Sequence, residues 1–437
     1  MDREPALDLC RFINAAPCAA HAADELCRQL DAAGYAALDL GAPRWELAPG
    51  RYRVRRGASV VAWVVRAHKP HRYLLIGAHT DSPHLQLKPR APFANEGCLQ
   101  LGVEVYGGAL LNSWLDRDLG LAGTVATADG QERSVRIHRP LARVPQLAIH
   151  LDRRINDDGL KLNQQQHLAP IWGLAADGDQ KDAAQKDPAK AFLDLLAAAA
   201  GVAPRDLVAH TLALYDLAPA ILGGADDAFI FAGRLDNLAS CHAALCALLA
   251  ADAGGDARAL PLIACLDHEE VGSTSDGGAD GVFLATVLER LALGLGLDRG
   301  AHLAALAGGL MLSADMAHAC HPNYADRHEP RHKPILGQGP VLKRNASQRY
   351  ATTAATAGAV ARLARAAGVG LQDFVTRSDL GCGSTIGPLA AARLGIAVAD
   401  LGCPMLSMHS ARECAATADH AGYVRLLAAH LLGTATA

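Results

Sequence analysis

Four times along the chain an apolar run leads straight into a polar loop dense in ionisable residues. Tyr73–Ala78 stops at GAHTDSP, Leu260–Leu266 at DHEEVGS, Leu310–Ser313 at ADMAHAC and Ile396–Leu401 at GCPMLSMHS. Runs of this length and apolarity predict buried strands. Arg51–Val65 is predicted extended too, ending in the β-branched run around Ser59–Val65. Between these runs the apolar period changes to that of helices, over Leu238–Ala251, Val282–Leu295 and Ala354–Ala367. The opening stretch is also helical, with Leu7, Phe12 and Ile13 on one face and Pro17 as a break. Leu26, Leu30 and Ala33 carry a second helix to Gly34. Buried strands alternating with helices predict an α/β fold, a largely parallel central sheet covered on both faces by helices. In such sheets the functional crevice lies beyond the carboxyl ends of the strands, where all four polar loops fall.

Residues 93–231 show a different pattern. Gly97–Tyr106 and Arg133–His138 alternate as half-buried strands do, and Asp177–Lys190 is a polar stretch of Asp, Lys, Gln and Ala. This region is read as an inserted, mainly β domain with Asp177–Lys190 as an exposed loop. The main α/β domain then comprises residues 1–92 and 232–437.

Composition narrows the function classes. Across 437 residues, 41 Lys and Arg stand against 45 Asp and Glu, a net charge of −4, so no global field draws the chain to nucleic acid or an anionic membrane. The arginines of Tyr52–Arg56 lack a stacking platform and read as a solvated face. Apolar stretches such as Gly300–Ala314 are too short and Gly-interrupted to cross a bilayer. The charged start, MDREPALDLC, lacks the apolar core of a secretory signal, and a cytoplasmic protein is expected. Eleven cysteines without a CxxC pair fit reduced thiols better than a disulfide framework.

The strand-end loops supply the chemistry. In His79-Thr80-Asp81, extended chain would point residues 79 and 81 the same way, so Asp81 could accept the second ring N–H of His79 and raise its basicity as a metal ligand. Alone, such a pair is more often a solvated strand end. In Asp267-His268-Glu269-Glu270, two adjacent carboxylates can divide the work, one holding a cation and its neighbour acting as general base; alone, the run is an acidic helix start. Asp236 in GRLDNLAS is by itself an N-cap, while Asp315 and His409 each come after an apolar run. What changes the reading is the set, because loops at one sheet edge would bring these imidazoles and carboxylates together. Mixed N/O ligation suits Zn²⁺, with Mn²⁺ and Co²⁺ as competitors, and a shared carboxylate would give a two-metal hydrolytic centre.

GAHTDSPHLQLKP, VEVYGGALLNSWLDRDLGLAG, LAIHLDRRIN, RLDNLASC, DHEEVGSTS, SADMAHACHPNYADRHEP, KRNASQRYAT, GCGSTIGP and MHSARE occur in that order along nearly the whole chain. Together they resemble the aspartyl aminopeptidases, cytosolic di-zinc exopeptidases. The resemblance implies His79, Asp236, Glu270, Asp315 and His409 as ligands of two Zn²⁺ ions, with Asp236 bridging. It implies Glu269 as the base that activates a metal-bridging hydroxide, Asp81 orienting His79, and an acidic-side-chain pocket at Lys343 and Tyr350 with His318 beside it. It also implies that His150 enters a neighbouring subunit's site. The expected fold is of di-zinc exopeptidase type with an inserted dimerisation domain, assembled as a homo-oligomer, a dodecamer, that takes peptide substrates. DHEEVGS departs from the family's commoner Asp-Asn-Glu-Glu, and AAPCAAHA from its Ser-Pro-x-x-aromatic-His pattern. Two alternatives stay open: a di-metal deacylase of N-acyl amino acids, and an inactive metal-bound scaffold or vesicle cargo.

Overall fold

A computed structural model of the protein describes residues 3–66, 69–175, 187–251 and 254–433. Its internal contacts divide it into two units: Met1–Asp81 with Ala220–Met408 and Glu413–Ala437, and Ser82–Pro219 with His409–Arg412.

The first unit is built on a nine-stranded sheet. At its centre Ala259–Leu266, Arg72–His79, Leu310–Ala314 and Ala397–Gly402 lie side by side and parallel. Antiparallel pairings occur toward the edges, where Ser59–Val65 joins both Gly50–Arg56 and Ala259–Leu266, and Val341–Arg344 joins Ala397–Gly402. The sheet is thus largely parallel, as the alternation of runs predicts.

Successive side chains feed two cores. Val60, Ala62, Val64, Leu74, Ile76 and Ala78 belong to one, and Val61, Trp63, Val65, Tyr73 and Leu75 to the other. Strands buried on both faces need apolar residues at every position, which explains their unbroken runs. The helices Glu4–Ala15, Ala19–Ala32, Leu235–Ala251, Ala354–Ala366 and Thr417–Leu432 contribute to the first core; Phe283–Gly294, Arg299–Ala307 and Ile386–Leu394 contribute to the second. Leu235–Ala251 is buried almost all round, as a helix with little polar face must be. A smaller five-stranded sheet in the same unit includes Phe229–Ala232, Pro404–Leu406 and Glu413–Ala416.

The second unit centres on a six-stranded antiparallel sheet: Glu132–Ala142, Leu119–Thr127, Leu207–Asp216, His84–Asn95, Cys98–Tyr106 and Ile171–Leu174. Its own core includes Leu85, Leu101, Trp114, Leu121 and Leu214, with Phe192 and Leu196 supplied by the helix Pro188–Ala200. Of the polar stretch Asp177–Lys190, residues 177–186 lie outside the described residues. From Pro188 the chain is helical instead of looped, because the Asp187 carboxylate accepts from the Ala189 N–H and caps a helix that Pro188 can start.

All eleven cysteines are free. Among the described residues no helix is long and apolar enough to cross a membrane. In the arginine-rich strand, Arg53 pairs with Asp31 at 2.6 Å and Arg55 with Asp24 at 2.5 Å.

Candidate metal centre

The parallel register sets the site. Leu266 pairs with His79 and Ala314 with Leu401, so the four central strands end nearly level. The residues just beyond the strand ends are therefore delivered to one edge: Asp81 after His79, the acidic turn after Leu266, and Asp315 after Ala314.

His79 is 1% exposed. Its Nε2 lies 3.3 Å from Asp236 Oδ1 and 3.6 Å from Asp315 Oδ1. Donor atoms of His79, Glu269 and Glu270 also lie within 4.8 Å of one another. The His79 Nδ1 is 3.0 Å from the Asp81 carbonyl and 3.3 Å from Asp81 Oδ1.

The Asp81 carboxylate has a further task that the sequence did not reveal. Its Oδ1 accepts from the Glu269 N–H and its Oδ2 from the Glu270 N–H, both at 3.1 Å. One buried carboxylate thus fastens the short turn Glu269–Val271, which begins after His268 in the left-handed region at φ 64°.

Asp236 stands at the start of Leu235–Ala251, where it and Asn237 depart from helical geometry. Its backbone N–H donates to Glu413 Oε2 at 3.2 Å, and the Asn237 side chain donates to the Ala314 carbonyl at 2.8 Å. Glu413 and Asn237 are both buried, and neither carries a local signal in the sequence. Asp315 passes close to Gly402, where an added Cβ would stand 1.8 Å from the Asp315 carbonyl oxygen. Only glycine fits that approach.

Lys343 is 3% exposed and its Nζ lies 3.2 Å from Asp315 Oδ2 and 5.4 Å from the centre of the Tyr350 ring. Tyr350 and the exposed His318 both meet Phe374 edge-on, with ring centres 6.4 and 5.9 Å apart. Buried Asp400 accepts from the Ala351 N–H at 2.6 Å and from Thr385 Oγ1 at 2.5 Å, anchoring the segment that carries Tyr350. Two of the expected site residues belong to the second unit. His150 is exposed, and His409 is half-buried with its Nδ1 3.0 Å from the Gly108 carbonyl.

The electrostatics of the first unit's cluster call for a cation. Asp81, Asp236, Asp315, Glu269 and Glu270 converge with Lys343 as the nearby ammonium. Burial opposes a charge on His79, yet its carboxylate partners outweigh that and raise it well above its usual value. Burial first, with repulsion from Asp315, Asp236 and Asp81, pushes Glu269 up to about 7 against the opposing pull of His79. An N/O donor set with this excess of negative charge fits a divalent ion such as Zn²⁺.

A family profile described as "Aminopeptidase I zinc metalloprotease (M18)" matches residues 12–430. The chain belongs to the M18 aminopeptidase family. It is therefore a metal-dependent aminopeptidase, a hydrolase, in line with the resemblance drawn from its motifs. It is 45% identical over 423 residues to a probable M18 family aminopeptidase 2 of Streptomyces avermitilis, covering 96% of this chain and 95% of that one. A Mycobacterium leprae protein of the same description is 45% identical over 436 residues, covering 97% of each.

Solved M18 structures share the fold. A cryo-EM structure of an Ape4 and Nbr1 complex superposes with a TM-score of 0.92 at 37% identity, covering 99% of this chain and 86% of that one. The M18 aminopeptidase of Thermotoga maritima gives 0.85 at 25%, covering 98% and 95%. The S. cerevisiae mApe1 dodecamer gives 0.81 at 26%, covering 98% and 96%.

Proposed function

We propose that this M18 aminopeptidase is a di-zinc enzyme that removes acidic first residues from peptides. The observation that carries the reading is buried His79, placed between Asp236 and Asp315 with the Asp81-fastened Glu269–Glu270 turn beside it. His79, Asp236, Glu270, Asp315 and His409 are the proposed ligands, with Asp236 shared between two ions; Mn²⁺ or Co²⁺ could substitute. When bound, the metal pair supplies a water made acidic near neutral pH and a Lewis acid for the scissile carbonyl.

The chain's own groups do the rest. Glu269 takes the proton of the attacking water and hands it to the departing amine, as a general base that then serves as general acid. Asp81 holds Glu269 and His79 in place through the turn N–H groups and the ring Nδ1. Lys343, over Tyr350 and near His318, supplies positive charge for an acidic side chain. A buried ammonium pairs with a carboxylate far better than with an apolar side chain.

We further propose that residues 93–231 act as a lid and dimerisation domain in a cytoplasmic homo-oligomer, a dodecamer like the S. cerevisiae relative, with His150 serving a neighbouring subunit's site. Around His150, Leu147, Ile149, Leu151 and Leu160 are 58%, 46%, 74% and 40% exposed. So much exposed apolar surface on one segment supports burial against another copy.

The test joins metal analysis to a substrate panel. Two Zn²⁺ per chain are expected, with hydrolysis of free-amine Asp and Glu anilides ahead of the Leu anilide, and no turnover after chelation until metal is restored. Hydrolysis of N-acylated substrates alone would make the enzyme a deacylase, and inactivity at every metal loading would make it a scaffold.

A further inference from the structure

A second group of metal-ligating side chains lies elsewhere in the first unit, where the helices Glu4–Ala15, Leu235–Ala251 and Thr417–Leu432 meet. It comprises Asp8, His242 and Cys246, whose ligand atoms all lie within 4.8 Å of one another. His242 is 1% exposed, and its Nε2 is 3.0 Å from Asp8 Oδ2 and 3.6 Å from Cys246 Sγ. Bonds of about 2.0–2.3 Å to one tetrahedral Zn²⁺ place neighbouring N, O and S ligand atoms about 3.3–3.6 Å apart. The two separations from His242 need only small adjustment to match.

The surroundings complete such a site. The His242 Nδ1 faces His420 Nε2 at 2.9 Å, so that ring can orient it by hydrogen bonding, as the outer partners of metal-bound imidazoles do. The His420 Nδ1 is itself buried, with no hydrogen-bond partner among the described residues. Arg11 holds the other Asp8 oxygen at 2.9 Å, which leaves Oδ2 turned toward His242. Asp8 and Cys246 are only half-buried, so solvent reaches the cluster. Cys246 lies four residues after His242, which places both on one face of a helix.

We propose that Asp8, His242 and Cys246 bind a further thiophilic divalent cation, Zn²⁺ or its surrogates Co²⁺ and Cd²⁺. This ion pins the first helix to the helix that carries Asp236 at its start. It is structural and independent of the hydrolytic reading, because none of the proposed catalytic ligands is a cysteine.

That difference makes the site visible. Full-length protein titrated with Co²⁺ is expected to develop a thiolate-to-cobalt charge-transfer band, and to hold one more metal ion per chain than Cys246→Ser or Asp8→Asn. Cys246→Ser should lose the band and keep aminopeptidase activity. Should a variant fail to fold, the wild-type protein answers by itself: Zn²⁺ should slow alkylation of Cys246, mapped by peptide mass spectrometry, by about tenfold or more, because metal-held sulfur is a poor nucleophile. Absence of the band at saturating Co²⁺, its survival in Cys246→Ser, or alkylation indifferent to Zn²⁺ would overturn the proposal.

Discussion

Replacing Lys343 by methionine keeps the length of the side chain and removes its charge. At 3.2 Å from Asp315 Oδ2, the pair has a Coulomb energy of about 5 kcal/mol at an effective dielectric near 20. On the proposed acidic preference, the ammonium has two claimants, Asp315 and the incoming carboxylate of the substrate. A substrate charge at about 4 Å would gain roughly 4 kcal/mol, a factor of nearly a thousand, if Lys343 were uncommitted. Because Asp315 already draws on it, the share left for the substrate is smaller, and a loss of about 10- to 100-fold in selectivity is expected. The assay is kcat/KM for Asp, Glu and Leu anilides in wild type and Lys343→Met, with metal per chain measured on the same samples. The Asp-to-Leu ratio should collapse while metal content holds. An unchanged ratio at full metal content would remove Lys343 from substrate recognition, and loss of metal would recast it as a residue that positions Asp315.

Glu269→Gln keeps the shape of the turn and the Asp81 bonds to its N–H groups, so metal content should persist while kcat falls by about 10²–10⁴; a near-normal kcat with bound metal would end the assignment. Gly402→Ala forces a methyl group into the Asp315 carbonyl, and a loss of stability of about 1–3 kcal/mol with weakened metal retention is expected, read by urea unfolding and equilibrium dialysis. His430, buried with its Nε2–H donating to the Leu75 carbonyl, is pulled down to about 4 by burial. Its folded value lies below the unfolded one, so its protonation favours the unfolded chain, and stability falls as pH drops from about 6.5 toward 4. By linkage the deficit is about 2 kcal/mol at pH 5. Urea midpoints at pH 7.5 and 5 should show a shallower pH dependence in His430→Gln, and an identical slope would count against the effect.

Much of the fold and the site was legible in the sequence because a buried parallel strand leaves an unmistakable trace: an apolar run that stops where the sheet stops. His79, the Glu269–Glu270 turn and Asp315 could be placed at one edge on that ground alone, since the strands before them are level neighbours. The partners across the sheet were harder to see. Asp81 reaches the Glu269 N–H 188 positions away, and Glu413 reaches the Asp236 N–H 177 positions away. Nothing local marks either acid for that task. Lys343 was singled out for substrate charge, but its contact with Asp315 depends on the antiparallel register of Val341–Arg344 beside Ala397–Gly402. The start of Pro188–Ala200 was hidden differently: its first residues are polar like the stretch before them, and the Asp187 cap outweighs composition.

The fastening of two consecutive acids by a single carboxylate couples fates that a catalyst designer would prefer to keep apart. With Glu269 and Glu270 in their proposed roles, shifting Asp81 by a fraction of an ångström would drag proton transfer and ion affinity along together. Tuning either by itself must therefore act on the side chains of residues 269 and 270, and any transplant of the DHEEVGS loop into another scaffold has to bring the distant aspartate with it.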